Sequence, residues 1–271
     1  MAALPKPAPE SALAPRVLSA LALAPLPVAA IWFGSPWLPL LTGLAAGVMA
    51  WEWGRLTRRD GLGKTILVAL VLAAVWAAAL LPVRFALLLT VAAAGLVFSA
   101  SGVSPAGGGG WAALGVLWLA LPSISLLWLA QSGRATLFWI LAVVWATDIG
   151  AYAVGMSIGG PRLAPRWSPA KTWSGLLGGV LSAALAGWAS ALLLGISPAF
   201  PLVSLSAGLA IVEQFGDLAE SAAKRRFGAK DSGSLIPGHG GLFDRLDGLL
   251  AVIPTVALLT LIGGRSVLSW R

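Results

Sequence analysis

The chain has 271 residues, 58% hydrophobic and 10% charged, with a mean hydropathy of +0.89; soluble domains run at roughly 45–50% and about 25%. This composition excludes a water-soluble domain, because too few polar side chains exist to cover its surface, and it reads as an all-α, polytopic integral membrane protein. Zero cysteines exclude disulfides and thiol chemistry, and the net charge of +8, scattered over loops between apolar stretches, fits membrane orientation and anionic phosphate ligands better than nucleic acid.

At about 20 residues per span the length allows eight to ten helices, and the pattern predicts nine. Residues 1–16, rich in Pro and Ala with Lys6 and Arg16, read as a cytoplasmic tail. A first span covers about Val17–Gly34, interrupted by Pro25 and Pro27; a cleaved signal peptide is the alternative. A second span follows at Trp37–Trp53, then a basic loop with Arg55, Arg58, Arg59 and Lys64, and two spans near Ile66–Leu81 and Phe85–Ala100. The Gly107–Gly110 run is expected to be a flexible connection; no Lys-Ser/Thr pair follows it, so it is not a phosphate loop. Five further spans are expected near Trp111–Ala130, Thr136–Met156, Trp173–Leu194, Leu202–Glu220 and Leu246–Gly263. Residues 1–135 read as a scaffold and 136–271 as the half that carries the site, with neither an internal repeat nor a soluble domain.

Alternating these spans from a cytoplasmic N-terminus puts 14 of the 18 Lys and Arg residues inside, with Arg84, Arg134, Arg265 and Arg271 outside. That is the positive-inside pattern, and it predicts a cytoplasm-facing active site.

Carboxylates appear where lipid is expected. Asp148 lies well inside the sixth span, where an ionisable group by default marks a functional site, and Tyr152 one turn on shares its face. Glu213, Asp217, Glu220 and Lys224 recur at spacings of four, three and four, a single helical stripe. Asp244 and Asp247 open the last span. Asp244 alone reads as a helix N-cap; set against Asp217 at the end of the preceding helix, it reads as a ligand for one or two divalent cations.

The chemistry concentrates between Ser221 and Asp247. There Lys224, Arg225, Arg226, Lys230 and Arg245 alternate with Asp231, Asp244 and Asp247, the only histidine, His239, and a Gly-His-Gly-Gly turn. Cations bind phosphate oxygens, glycines admit a ligand to the backbone, and carboxylates hold Mg²⁺. A basic loop that merely orients the protein would need neither the aspartates nor the histidine.

The spacing S-x-x-K-R-x4-K-D-x-G-x2-I-P-x-H-G-G-L-x-D-R-L-D, from Ser221 to Asp247, resembles the signature of the phosphatidate cytidylyltransferase (CDP-diacylglycerol synthase) family. Ala223 stands where that family usually has a larger apolar residue. A second block, Asp148, Ala151, Tyr152 and Gly155 followed by Ser168, Pro169, Lys171, Thr172, Trp173 and Gly175, extends the resemblance, and Gly216, Asp217, Leu218, Glu220 and Ser221 complete it. Ala170 and Ser174 occupy positions where the family commonly has Lys and Glu. The resemblance covers about residues 140–250; the N-terminal spans match in hydrophobic character alone. It implies transfer of CMP from CTP to phosphatidic acid with Mg²⁺ at the inner membrane surface, giving CDP-diacylglycerol and pyrophosphate. A homodimer is compatible with it, and no nucleic-acid partner is expected.

Within that reading Asp217 and Asp244 are the expected metal ligands, with Asp148 and Asp247 as a second site or supporting groups. Lys171, Lys224, Arg225 and Lys230 clamp phosphates, and Arg245 holds the acceptor phosphate or an aspartate. Ser168, Thr172, Ser221, Asp231 and Tyr152 contribute to substrate binding. The acceptor phosphate is already ionised, so His239 orients a phosphate or braces the glycine turn. Two rivals remain at this stage: a CTP-dependent lipid-alcohol kinase of the same superfamily, and a cation or proton transporter, which would also bury acids in its helices.

Overall fold

A computed structural model of the chain describes residues 24–100, 108–233, 235 and 240–270. Nine α-helices lie among them: α1 (Pro25–Phe33), α2 (Trp37–Leu56), α3 (Gly61–Leu80), α4 (Val83–Ala100), α5 (Gly108–Gln131), α6 (Arg134–Ile158), α7 (Trp173–Leu193), α8 (Phe200–Arg226) and α9 (Phe243–Gly263). Seven of them, α3 to α9, are long and apolar enough to cross a membrane. The protein is therefore an all-α, polytopic membrane protein. The described part of the first expected span is α1, whose nine residues rise only about 14 Å. The second span is α2, where Glu52 and Arg55 interrupt the apolar run.

Helix boundaries follow local chemistry. Asp60 caps α3, its carboxylate accepting from the Gly63 N–H at 2.6 Å. The expected flexible connection at Gly107–Gly110 is corrected over its described residues: Gly108–Gly110 form the first turn of α5, and the Gly108 carbonyl accepts from Arg59 Nη2 at 2.5 Å. The eighth span was expected to stop at Glu220. Instead α8 runs on to Arg226, and its last turn carries Lys224, Arg225 and Arg226, cations that the negative end of a helix dipole favours.

Helix α5 is the hub, with 56% of its spanning window buried and contacts to α2, α3, α4, α6 and α9. Fully buried Trp53 of α2 leans on it, donating Nε1–H to the Trp111 carbonyl at 2.9 Å. The Trp53 ring also meets Trp111, Trp118 and Phe243 at centroid distances of 6.1, 5.5 and 5.6 Å, close enough for edge and tilted aromatic contacts. This aromatic cluster joins α2 and α5 to the start of α9.

The second half is built on the close pairing of α6 with α7, and of α7 with α8. At the α6–α7 crossing a Cβ on Gly150 would lie 2.7 Å from the Gly178 carbonyl, and one on Gly178 would lie 2.8 Å from that of Gly150, so only glycine permits this approach. Between α6 and α7 the chain forms an antiparallel hairpin, β1 (Arg162–Ala164) and β2 (Ser168–Thr172), with Arg162 opposite Thr172 and Ala164 opposite Ser168. Large apolar side chains such as Leu80, Leu193, Phe200 and Ile262 point outward, the pattern of a surface that faces lipid.

Candidate active site

The α8 stripe meets the first turn of α9. Asp217 acts electrostatically on Asp247, and Glu220 touches Asp244, so the two helices run antiparallel with their acidic faces together. One carboxylate oxygen each from Asp217, Glu220 and Asp247 lie within 4.8 Å of one another. Glu220 is fully buried; its Oε2 faces Lys224 Nζ at 2.6 Å, and its carboxyl also meets that of Asp244. Three hard carboxylate donors, one of them fully buried, fit a divalent cation such as Mg²⁺.

Asp244 is engaged otherwise. Its Oδ1 accepts from Lys224 Nζ at 2.7 Å, and its Oδ2 accepts from Ser232 N at 2.9 Å, Ser232 Oγ at 3.0 Å and Gly241 N at 2.8 Å. The rotation of α9 groups Asp247, where Asp244 was expected, with Asp217 and Glu220, and turns Asp244 toward Lys224 and the loop. Nor is Asp244 the N-cap, a position held by Leu242 without a side-chain cap bond.

Lys171 enters from the hairpin. Its Nζ pairs with Asp217 Oδ2 at 2.5 Å and donates to Gln214 Oε1 at 2.9 Å. Thr172, the next residue, caps α7 by accepting from Gly175 N at 3.1 Å, so the end of β2 and the start of α7 fix the lysine. Deeper along α6 and α8, Asp148 faces the buried Glu213, and Arg245 is close enough to act on Asp148. Six of the ten acidic residues therefore converge on Lys171, Lys224 and Arg245, twice as many carboxyl groups as side-chain cations.

The remaining expected residues lie at the margin. Ser221 Oγ approaches Asp217 Oδ1 at 3.5 Å. Arg225 donates to the Trp167 and Ala229 carbonyls at 3.4 and 3.1 Å, bracing the hairpin against the loop. Ser168 starts β2, and Lys230 and Asp231 are exposed. Tyr152 is 69% exposed on α6. His239 lies outside the described residues.

Comparison with known proteins decides the family. The model of the cytidylyltransferase family matches residues 14–262. The chain belongs to the cytidylyltransferase family. It is 38% identical over 263 residues to the phosphatidate cytidylyltransferase of Brucella suis biovar 1, covering 93% of this chain and 94% of that protein. Against the phosphatidate cytidylyltransferase of Pseudomonas aeruginosa it is 35% identical over 258 residues, covering 90% and 95%. Against that of Bacillus subtilis it is 41% identical over 132 residues, 48% and 49% of the two chains. The likeness thus extends well beyond residues 140–250 and takes in the N-terminal helices.

Of the three departures from the family pattern, Ser174 has a local explanation and nothing in the structure explains Ala170. Ser174 Oγ donates to the Gly159 carbonyl and lies 3.0 Å from Thr172 Oγ1, tying the end of α6 to the start of α7. Ala170 offers its backbone carbonyl to Arg162 Nη1 at 3.3 Å. Sequence reasoning placed Glu220 on the acidic stripe without assigning it to the metal. It overlooked Glu52 altogether, although an acid inside an apolar span is the same signal that singled out Asp148.

Proposed function

We infer that this member of the cytidylyltransferase family transfers CMP from CTP to phosphatidic acid, giving CDP-diacylglycerol and pyrophosphate in phospholipid synthesis. The observation that carries the reading is the convergence of Asp217, Glu220 and Asp247 with Lys171 and Lys224 beside the signature stretch of a chain similar over most of its length to phosphatidate cytidylyltransferases. A phosphate oxygen of the lipid attacks the α-phosphorus of CTP, and the bond to the bridging β-oxygen breaks. Both reactants are anions, so the site must neutralise charge and align the attack. Asp217, Glu220 and Asp247 would hold Mg²⁺, which supplies charge neutralisation on the triphosphate when bound. The Lys171 and Lys224 ammonium groups are positioned to exchange carboxylate partners for phosphate oxygens. No strong general base is needed, because the attacking phosphate is already ionised.

Purified protein in detergent, given labelled CTP and phosphatidic acid, is expected to release pyrophosphate with Mg²⁺ and to stop in excess chelator. Transfer of the γ-phosphate to a lipid alcohol, or ion flux in liposomes without nucleotide turnover, would overturn the reading.

The site faces the cytoplasm of a bacterial inner membrane in this reading, where CTP is available. The chain has no cysteine, so a thiol placed at exposed Leu235 reports orientation. Leu235→Cys is expected to resist an impermeant thiol reagent in intact cells and to react in inverted vesicles. The reverse pattern would strand the site away from CTP.

A further inference from the structure

We propose that Glu52, from the N-terminal half, is a positioning residue that clasps the signature loop onto the start of α9. Glu52 is 4% exposed. Its Oε1 accepts from Leu242 N at 2.9 Å, and its Oε2 accepts from Phe243 N at 2.8 Å and from Ser232 Oγ at 3.2 Å. The two N–H groups belong to the unpaired first turn of α9, whose positive dipole end favours a carboxylate. A residue 190 positions away thus does the work of the missing N-cap. The same oxygens crowd the glycines of the loop. A Cβ on Gly241 would meet Ser232 Oγ at 2.2 Å and Glu52 Oε1 at 2.6 Å, and one on Gly233 would meet Oε1 at 2.8 Å.

The clasp continues into the site. The single O–H of Ser232 lies within reach of both Glu52 and Asp244 and serves one of them at a time, its N–H donates to Asp244, and Asp244 in turn holds Lys224. The base is rigid, since neighbouring Trp53 is anchored to the Trp111 carbonyl and its ring packs on Phe243. Glu52 and Trp53 therefore grip Phe243 together, one by its backbone and one by its ring. Glu52 touches no part of the carboxylate trio and acts through Ser232 and Asp244. The inference rests on the signature loop belonging to the active site.

Glu52→Gln is the test. The amide keeps one acceptor but turns an NH₂ donor toward either Oε2's or Oε1's partners, so at least one loop donor is lost. Hydrogen exchange over residues 232–243 should accelerate by about tenfold or more, with α5 and α6 unchanged. In the same preparation kcat should fall about 10- to 100-fold, the usual effect of losing a partner behind an active-site group, while KM for phosphatidic acid stays within about twofold. Gly241→Ala, which opens the clasp from the other side with Glu52 intact, should reproduce both effects and serves if Glu52→Gln does not fold. The exchange measurement needs no turnover and reads the clasp independently of the reaction assigned above. Parent-like exchange in the 232–243 segment would overturn the clasp. An opened loop with parent-like kcat would overturn its link to catalysis.

Discussion

Asp217→Asn is expected to lower turnover at least about 10²-fold, as loss of a strong transition-state electrostatic contact does, and to leave the protein folded. The side chain is 27% exposed and bonded to protein chiefly through Lys171, so an amide of the same shape fits without stranding a buried donor. Lys171 keeps Gln214 as a partner. What disappears is one negative charge from the group formed with Glu220 and Asp247, and the Mg²⁺ concentration for half-maximal rate should rise at least about tenfold. Asp247→Asn should behave alike. Because the carboxylates act as one unit, the double change should cost little more than the worse single one. Initial rates across a Mg²⁺ titration decide it, and a folded Asp217→Asn protein with parent-like rates and Mg²⁺ dependence would remove the trio from catalysis.

Much of this was legible in the sequence, for reasons specific to membranes. A lipid-facing helix must be apolar along its whole length, so the seven spanning helices from α3 to α9 announce themselves. For the same reason each acid inside a span stands out, and Asp148, Asp217 and the α8 stripe were found that way. Partner choice was less legible. Asp244 and Asp247 lie three residues apart, and which one meets Asp217 depends on how α9 is rotated, which periodicity within α9 does not fix. The hairpin that delivers Lys171 is too short to show an alternating pattern. Glu52 stands out as an acid inside an apolar span, but its role was hidden by its partners: it bonds backbone N–H groups about 190 residues away, and backbone donors leave no signature in the side-chain sequence.

Asp244→Asn separates three roles that a residue at the start of a helix can play. A simple N-cap predicts little effect, because Asn caps as well as Asp. A metal ligand predicts a loss of rate in a protein that stays as stable as the parent. The geometry predicts loss of both rate and stability. Each carboxylate oxygen of Asp244 accepts from protein donors: Oδ1 from Lys224, Oδ2 from Ser232 and Gly241. An Asn side chain has a single acceptor oxygen, so its NH₂ must face either an ammonium or a backbone N–H. Turned toward Lys224, it leaves that cation with Glu220 alone; turned toward the loop, it opposes Ser232 and Gly241. Breaking one side of a buried ion pair typically costs about 3–5 kcal/mol, and the lost bonds release Ser232 and Gly241. The variant should therefore melt earlier than the parent in detergent, exchange faster over residues 232–243, and turn over at least about 10²-fold more slowly. Lys224→Met should share the loss of rate, since it removes the cation that lies between Glu220 and Asp244. An Asp244→Asn protein that melts and exchanges like the parent, whatever its rate, would show that the loop is held by something other than this carboxylate.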